Sequence, residues 1–334
     1  MRVSIVVCNY NYAQFLDGAI RCAVEQDYPD KEVIVVDDGS TDGSRAIVER
    51  WGTAVRAIYK SNGGQVSAYN AGFEEVTGDI VVFLDSDDLL DRSACGRIVE
   101  AFDPDTVKVH FRLRVVDAQG VALGPTVPSR LAEGDIAHRL RRDGEVYESP
   151  PGSGNAYRVS ALRRLMPLPG DPKDRHGADF FAMYGIALLG KVRTVGSDAL
   201  GSYRVHDRNA PQLLAFGNAL RETQEPLRSA RRYERMRAWV LARLGPAEVL
   251  APFAPVFFLE KQGYVAAIFS APSYLQGLRT GCSLLVSKVL PSVARAQGSW
   301  AFRAGLAGWA LGVLVLPRRA GLPLARYVCN PASR

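Results

Sequence analysis

The 334 residues include only five cysteines, Cys8, Cys22, Cys95, Cys282 and Cys329, and none forms a Cys-x-x-Cys pair. So odd and scattered a set argues against a disulfide framework or a cysteine-built zinc site, and for a reducing compartment. Long apolar runs are also scarce. The opening MRVSIVVCNY is too short for a signal peptide, has no small-residue cleavage site, and reads as a first strand. The most apolar stretch, Ser299–Pro317, contains Arg303. Its uncharged part begins only at Ala304 and falls short of the ~20 residues a membrane span needs. It is expected to lie in a membrane interface or to pack within the tail. No Gly-x-Gly-x-x-Gly follows the first strand and no Walker A loop occurs, which removes the dinucleotide dehydrogenase and P-loop classes. Internal repeats and low-complexity segments are missing. Aspartate is absent from residue 211 onward, where sixteen Lys/Arg face five Glu, a net +11. With +6 overall, the first 210 residues carry −5. An acidic front half suits a cation site, and a basic back half suits an anionic surface. With no zinc finger and no aromatic-rich RNA signature, that surface is expected to be a membrane rather than nucleic acid.

What is present is an alternation of buried strands and amphipathic helices. Val3–Val7, Glu32–Val36, Val55–Tyr59 and Ile80–Leu84 read as strands, and 13–26, 43–50 and 65–75 as helices. Three successive βα units imply a parallel sheet with right-handed crossovers. Lys108–Val116 alternates and runs into a turn at Asp117–Gly120, the mark of a hairpin or an edge strand. Further helices are expected over 134–142, 159–165 and 179–189, with one more strand within 193–205. The spacing over Leu213–Leu244 begins a mostly helical tail. The expected architecture is α/β, a mostly parallel Rossmann-like sheet flanked by helices, divided into a domain over residues 1–210 and a basic helical region over 211–334.

The strand ends carry the chemistry. Five apolar residues run from Ile80 directly into Asp85-Ser86-Asp87-Asp88. Carboxylates this close repel one another unless a cation or strong donors sit among them. A hard divalent ion that also grips a phosphate is the natural occupant. Strands one and two end in Cys8-Asn9-Tyr10-Asn11 and Asp37-Asp38-Gly39-Ser40. In a parallel sheet these tips converge at the carboxyl edge, where ligands of open α/β sheets bind. Tyr10 suits stacking on a nucleobase, and Asp37 or Asp38 suits accepting a base N–H. Taken singly, each piece is also compatible with core filling or helix capping.

The blocks VSIVVCNYN, EVIVVDDGSTDGS, NGGQVSAYNAGF and GDIVVFLDSDD, with Gln26-Asp27-Tyr28-Pro29, GADFFAMYGIALLGKV and YRVHDRNA, occur in the order of one family. Over roughly residues 1–210 the chain resembles glycosyltransferase family 2, whose fold is GT-A. The resemblance implies inverting transfer of a sugar from a nucleotide-diphosphate-sugar, with a UDP-sugar the expected donor and magnesium or manganese the expected cofactor. It assigns Asp85 and Asp87 to the family's DxD pair, Asp87 as the direct metal ligand and Asp85 nearer ribose or metal. Asn9, Tyr10, Asp37, Asp38 and Asn70 fall to the nucleotide-sugar pocket, Asp179 to the catalytic base and His206 to the metal or diphosphate. Three departures stand out. Cys8 replaces a common proline, Tyr69 an arginine that would reach nucleotide or phosphate, and Ala178 the glutamate before the base.

The reaction expected from this set is a single displacement in which Asp179 takes the acceptor proton while a metal at Asp87 offsets charge on the leaving diphosphate. The expected acceptor is a glycan or a lipid-linked molecule in envelope or cell-surface glycan synthesis. The expected location is the cytoplasm, peripheral on the cytoplasmic face of a membrane through the basic region. A processive synthase would carry Gln-x-x-Arg-Trp, and Gln224 begins no such block. The competing reading is a non-catalytic nucleotide-sugar-binding or scaffold protein with a degenerate core.

Overall fold

The computed structural model describes residues 1–205, 228–296 and 298–329. The first half follows the expected alternation: β1 (Val3–Asn9), α1 (Ala13–Val24), β2 (Lys31–Asp37), α2 (Ser44–Arg50), β3 (Arg56–Tyr59), α3 (Gln65–Glu74) and β4 (Ile80–Asp85). β1, β2 and β4 form because Val, Ile and Leu fill both faces, so each is buried on both sides, whereas β3 is a largely exposed edge strand. Val3, Ile5 and Val7 point into one layer, while Val6 and Cys8 point into the other. The carboxylate of Asp42 accepts the N–H groups of Ala13 and Ser44, at 3.0 and 2.9 Å, and so ties the first turns of α1 and α2 together.

After β4 come β5 (Leu89–Leu90), α4 (Ala94–Glu100), β6 (Thr106–Val116), β7 (Ala122–Val127), β8 (Asn155–Arg158), α5 (Val159–Arg163), α6 (Ala178–Ile186) and β9 (Lys191–Arg204). The nine strands form one sheet in the order β3-β2-β1-β4-β8-β6-β9-β5, with β7 beside β6. The four strands β3, β2, β1 and β4 pair in parallel, as expected. Beyond them the sheet is mixed rather than mostly parallel. β8 enters from a loop instead of a crossover helix and runs antiparallel to both β4 and β6. The hairpin at Asp117–Gly120 is present, but β6 lies inside the sheet and is not an edge strand. Its charged alternation misleads because Lys108 and His110 are fully buried. The helix expected over 134–142 shrinks to a wide turn centred on Arg139–Asp143.

Two apolar layers sandwich the sheet. Leu16, Ile20, Val48 and Ile98 line one. Val66, Phe73, Leu162 and Phe181 line the other, joined by Tyr233, Met236 and Trp239 of α7 (Arg228–Leu244). The Arg-rich helix α7 therefore packs against the sheet's own core, and Trp239 meets Phe181 edge-on at 6.0 Å. The expected start of that helix, from Leu213, lies outside the described residues. The remaining helices are α8 (Phe257–Phe269), α9 (Tyr274–Leu284), α10 (Leu290–Arg295), α11 (Trp300–Val315) and α12 (Arg318–Cys329). They gather around a third, separate core of Tyr264, Val265, Val289, Trp309 and Val313. Among the described residues, no helix is long and apolar enough to cross a membrane.

Candidate active site

Register alone brings the strand tips together. Asn9 pairs with Asp37 across β1 and β2, and Cys8 with Asp85 across β1 and β4. Asn9 is buried, and its Nδ2 donates to Asp37 Oδ1 and Ser40 Oγ, both at 3.1 Å. The Ser40 hydroxyl also donates to Asp37 Oδ1 and accepts the Asn11 N–H. Asn11 holds a left-handed backbone (φ 56°), a conformation asparagine tolerates better than most residues, and its Oδ1 takes the Thr41 N–H at 2.8 Å. These bonds fix the two strand tips beside Tyr10, which stays 44% exposed.

Asp38 is committed differently. Its carboxylate takes Lys60 Nζ at 2.6 Å and the N–H groups of Gly63 and Gly64 at 2.9 and 2.6 Å. It thereby shapes the turn that starts α3, where Gly64 needs a positive φ of 85°. Asp37 accepts on Oδ1, and among the described residues its Oδ2 accepts nothing. Of the two acids, Asp37 is the one with an acceptor atom to offer a ligand.

The β4 tip holds Asp85, Ser86, Asp87 and Asp88. Asp88 is buried, and its two oxygens take the Ser153 hydroxyl at 2.6 Å and the Arg204 N–H at 2.9 Å. Ser153 Oγ in turn accepts the Asp85 N–H at 3.1 Å. Arg204 Nε donates to the Asp87 carbonyl at 2.8 Å, so the end of β9 is bolted to the acidic turn. Burial, then the neighbouring charges of Asp87 and Asp179, push the Asp85 carboxyl up to about 8. Burial, then Asp87 and Asp85, push Asp88 well above the carboxylate range. Ser153 belongs to the Gly152-Ser153-Gly154 turn inside a proline-rich loop, which nothing in its spacing marked as functional.

Asp179 sits in the first turn of α6 and accepts the Phe180 N–H at 2.8 Å. A Cβ on Gly152 would stand 3.1 Å from the Tyr69 hydroxyl and 3.5 Å from both Asp179 Cβ and Asp85 Oδ2. Asp179, Asp85 and Tyr69 thus surround one small floor, where a side chain at position 152 would crowd the Tyr69 hydroxyl. Tyr69 is buried and stacks on Phe83, centroids 4.0 Å apart, and its hydroxyl has no partner among the described residues. Gln65 spans the same gap. Its Nε2 donates to Asp85 Oδ1 at 3.4 Å, while Oε1 accepts Gly177 and Ala178 N–H at 2.8 and 3.1 Å. Gln65 stood within a block of the family resemblance but received no role from it.

Asn70 does not join this set. Its amide bonds both ways with the Leu168 backbone, donating to the carbonyl at 3.1 Å and accepting the N–H at 2.8 Å. It clamps a distant loop instead of facing the pocket. His206 lies outside the described residues. Among the described residues, no group of three or more His, Cys, Asp or Glu side chains is arranged to hold a metal ion. The donor chemistry nonetheless fits a hard cation. Burial first, and then the neighbouring charges of Asp87 and Asp179, raise Asp85, and carboxylate oxygens are the donors a hard divalent ion prefers.

A model described as glycosyl transferase family 2 matches residues 4–166. An uncharacterized glycosyltransferase of Nostoc sp. is 38% identical over 217 residues, covering 63% of this chain and 66% of that one. The next two relatives are matched over only 25% and 27% of their length. Among solved structures, the mannosyltransferase PcManGT from Pyrobaculum calidifontis, in complex with GDP-Man and Mn2+, overlays with a TM-score of 0.53 at 22% identity, covering 99% of this chain and 85% of that one. S. aureus TarS 1–349 in complex with UDP-GlcNAc gives 0.50 at 16% identity, covering 98% and 90%. At such identities these overlays speak to the fold, which is GT-A. Sequence match and fold agree, and residues 4–166 belong to glycosyltransferase family 2.

Proposed function

We propose that this chain transfers a sugar from a nucleotide-diphosphate-sugar, a UDP-sugar by preference, to an acceptor hydroxyl with inversion at the anomeric carbon. One observation carries the reading: Asp85 and Asp179 flank the same floor at Gly152, so a donor diphosphate and an attacking hydroxyl would meet within one small cleft. Asn9 and Asp37 would hold the base and ribose, with Tyr10 stacking on the base. Asp38 supports them indirectly, by setting the Gly63–Gly64 turn. Asp179 would accept the hydroxyl proton as the oxygen attacks. No second carboxylate is needed across the sugar, as paired-acid hydrolysis would demand. Asp87 and Asp85 would hold the divalent metal, magnesium or manganese, with His206 as a further candidate ligand. When bound, the ion offsets charge on the departing diphosphate. The GDP-Man and Mn2+ bound by the one overlaid structure and the UDP-GlcNAc bound by the other support this donor class by analogy.

The acceptor is read as a glycan or lipid-linked molecule of envelope synthesis. The basic C-terminal region is read as the part that meets the cytoplasmic face of a membrane, by its charge of +11.

The deciding experiment compares wild type with Asp179→Asn across a panel of nucleotide-sugars with Mn2+. Transfer should fall by about 100-fold or more, while donor affinity stays within about twofold. Equal transfer by the variant would remove Asp179 from the chemistry. Neither transfer nor donor hydrolysis by the wild type would favour the binding or scaffold reading.

A further inference from the structure

The helix α11 carries two apolar faces, and only one is covered. Trp309, Ala310, Val313 and Leu314 are buried in the C-terminal core. On the other side Trp300, Ala304, Gly308, Leu311 and Val315 recur at helical spacing, and all five are exposed. Trp300 is 78% exposed, Val315 57% and Leu311 48%. The single charged residue of the helix, Arg303, turns its guanidinium to the Ala294 carbonyl at 3.2 Å, so no charge interrupts the stripe. The stripe continues onto α9. The Tyr274 hydroxyl, on a residue itself 44% exposed, donates to the Val315 carbonyl at 3.1 Å, and Leu275, next in the chain, is 75% exposed. A soluble surface seldom leaves so long an uncharged stripe to water, and such patches mark protein or membrane contacts.

The surrounding charge selects the occupant. Residues 261–334 hold nine Lys/Arg and no acidic residue. Arg318 and Arg319 are exposed and directly follow α11, and Arg318 donates to the Ala271 carbonyl next to α9. A second copy apposed through this face would set like charges against each other. An anionic bilayer supplies both what the stripe lacks, an apolar phase, and what the arginines lack, negative charge. The sixteen residues of α11 span about 24 Å, too short to cross the ~30 Å hydrocarbon core but suited to lying in its interface, with a tryptophan at one end and arginines at the other.

We propose that the Trp300–Leu311–Val315 face of α11, extended by Leu275 and rimmed by Arg318 and Arg319, docks flat into an anionic lipid surface. This inference rests on reading the basic region as membrane-facing and is independent of the sugar-transfer chemistry.

The test uses the full chain and sedimentation with vesicles of phosphatidylglycerol and phosphatidylcholine, at low and high salt. Leu311→Gln with Val315→Gln alters two exposed side chains and no charge. It should leave thermal stability unchanged and lower partitioning by about tenfold at both salts. Arg318→Gln with Arg319→Gln should weaken binding at low salt only, because exposed charge attraction is screened. Brominated lipid should quench wild-type fluorescence, and the quenching should be largely lost in Trp300→Phe. Partitioning and quenching unaffected by the glutamine pair and by Trp300→Phe would overturn the proposed face. If the arginine pair alone mattered, the membrane reading of the basic region would survive without it. If no vesicle bound, both would fall. A lipid-free dimer that the glutamine pair converts to monomer would also overturn it, in favour of a second copy.

Discussion

The side-chain amide of Gln65 reaches Asp85, donating from Nε2 to Oδ1 at 3.4 Å, while its oxygen holds the first two N–H groups before Asp179. A helix leaves its first N–H groups without partners, and an outside acceptor here fixes where the helix begins. One residue thus sets the distance between the acid assigned to the donor and the acid assigned to the acceptor. Gln65→Glu keeps the acceptor for α6 but loses the donor and adds a charge beside Asp85. Donor KM should rise by about tenfold, since like charges disfavour each other's ionised form, with kcat changed less. Gln65→Ala frees both ends, and kcat should fall as well. Steady-state kinetics of the two variants separate the roles, and identical defects in both would refute the division.

Tyr69 offers a second prediction with opposite signs for stability and function. Its hydroxyl is buried without a partner among the described residues, at the floor between Asp85 and Asp179. Burying an unpaired hydroxyl costs about 1–3 kcal/mol, so Tyr69→Phe should fold at least as stably as wild type. If the hydroxyl is kept for the bound donor, the same change should raise donor KM severalfold. Thermal melts and donor titrations on the one variant decide it. Lower stability with unaltered KM would make Tyr69 a packing residue.

The parallel half of the site was readable because doubly buried strands announce themselves as unbroken Val, Ile and Leu runs, and the residues after them must share an edge. The remaining features depend on partners far away in sequence. Asn70 looked like a pocket residue until its clamp on Leu168, 98 positions along, was visible. Ser153 looked like loop filler, yet it pins Asp88, 65 positions earlier. The arginines of α7 counted toward a basic region facing an anionic surface, but Arg232 and Arg235 pair with Asp174 in the loop leading to Asp179. Lys108 and His110 mimicked a wet strand face. Burial is tolerated because Lys108 Nζ meets Ser149 Oγ at 2.7 Å and His110 Nε2 meets the Ala132 carbonyl at 2.9 Å.

Ser153→Ala tests how the acidic turn is held. The change removes the hydroxyl given to Asp88 and the acceptor of the Asp85 N–H, while a methyl fits the same space. Asp88 retains the Arg204 N–H. Leaving a buried acid with one bond should cost about 1–3 kcal/mol, read as a lower urea midpoint. Asp85 and Asp87 should also be held less firmly, so Mn2+ affinity in calorimetry should fall. Full stability would mean that Ser153 contributes nothing to the turn.

Lys108 gives the pH prediction. Burial drives its ammonium well below the ordinary lysine value, with the Asp179 charge opposing. The unfolded chain keeps that proton up to about pH 10.4, while the folded chain releases it earlier. Between the two values the unfolded state binds more protons, so stability rises with pH, by at most about 1.4 kcal/mol per unit for one proton. The penalty is absent above the unfolded value and grows as pH falls toward the folded one. Lys108→Met cannot pay or recover this proton. The stability of wild type relative to the variant should therefore climb as pH rises toward about 10 in urea titrations. Parallel curves would mean that Lys108 stays charged, and that Ser149 and Tyr147, which bond its Nζ, together with the opposing charge of Asp179, hold its proton despite burial.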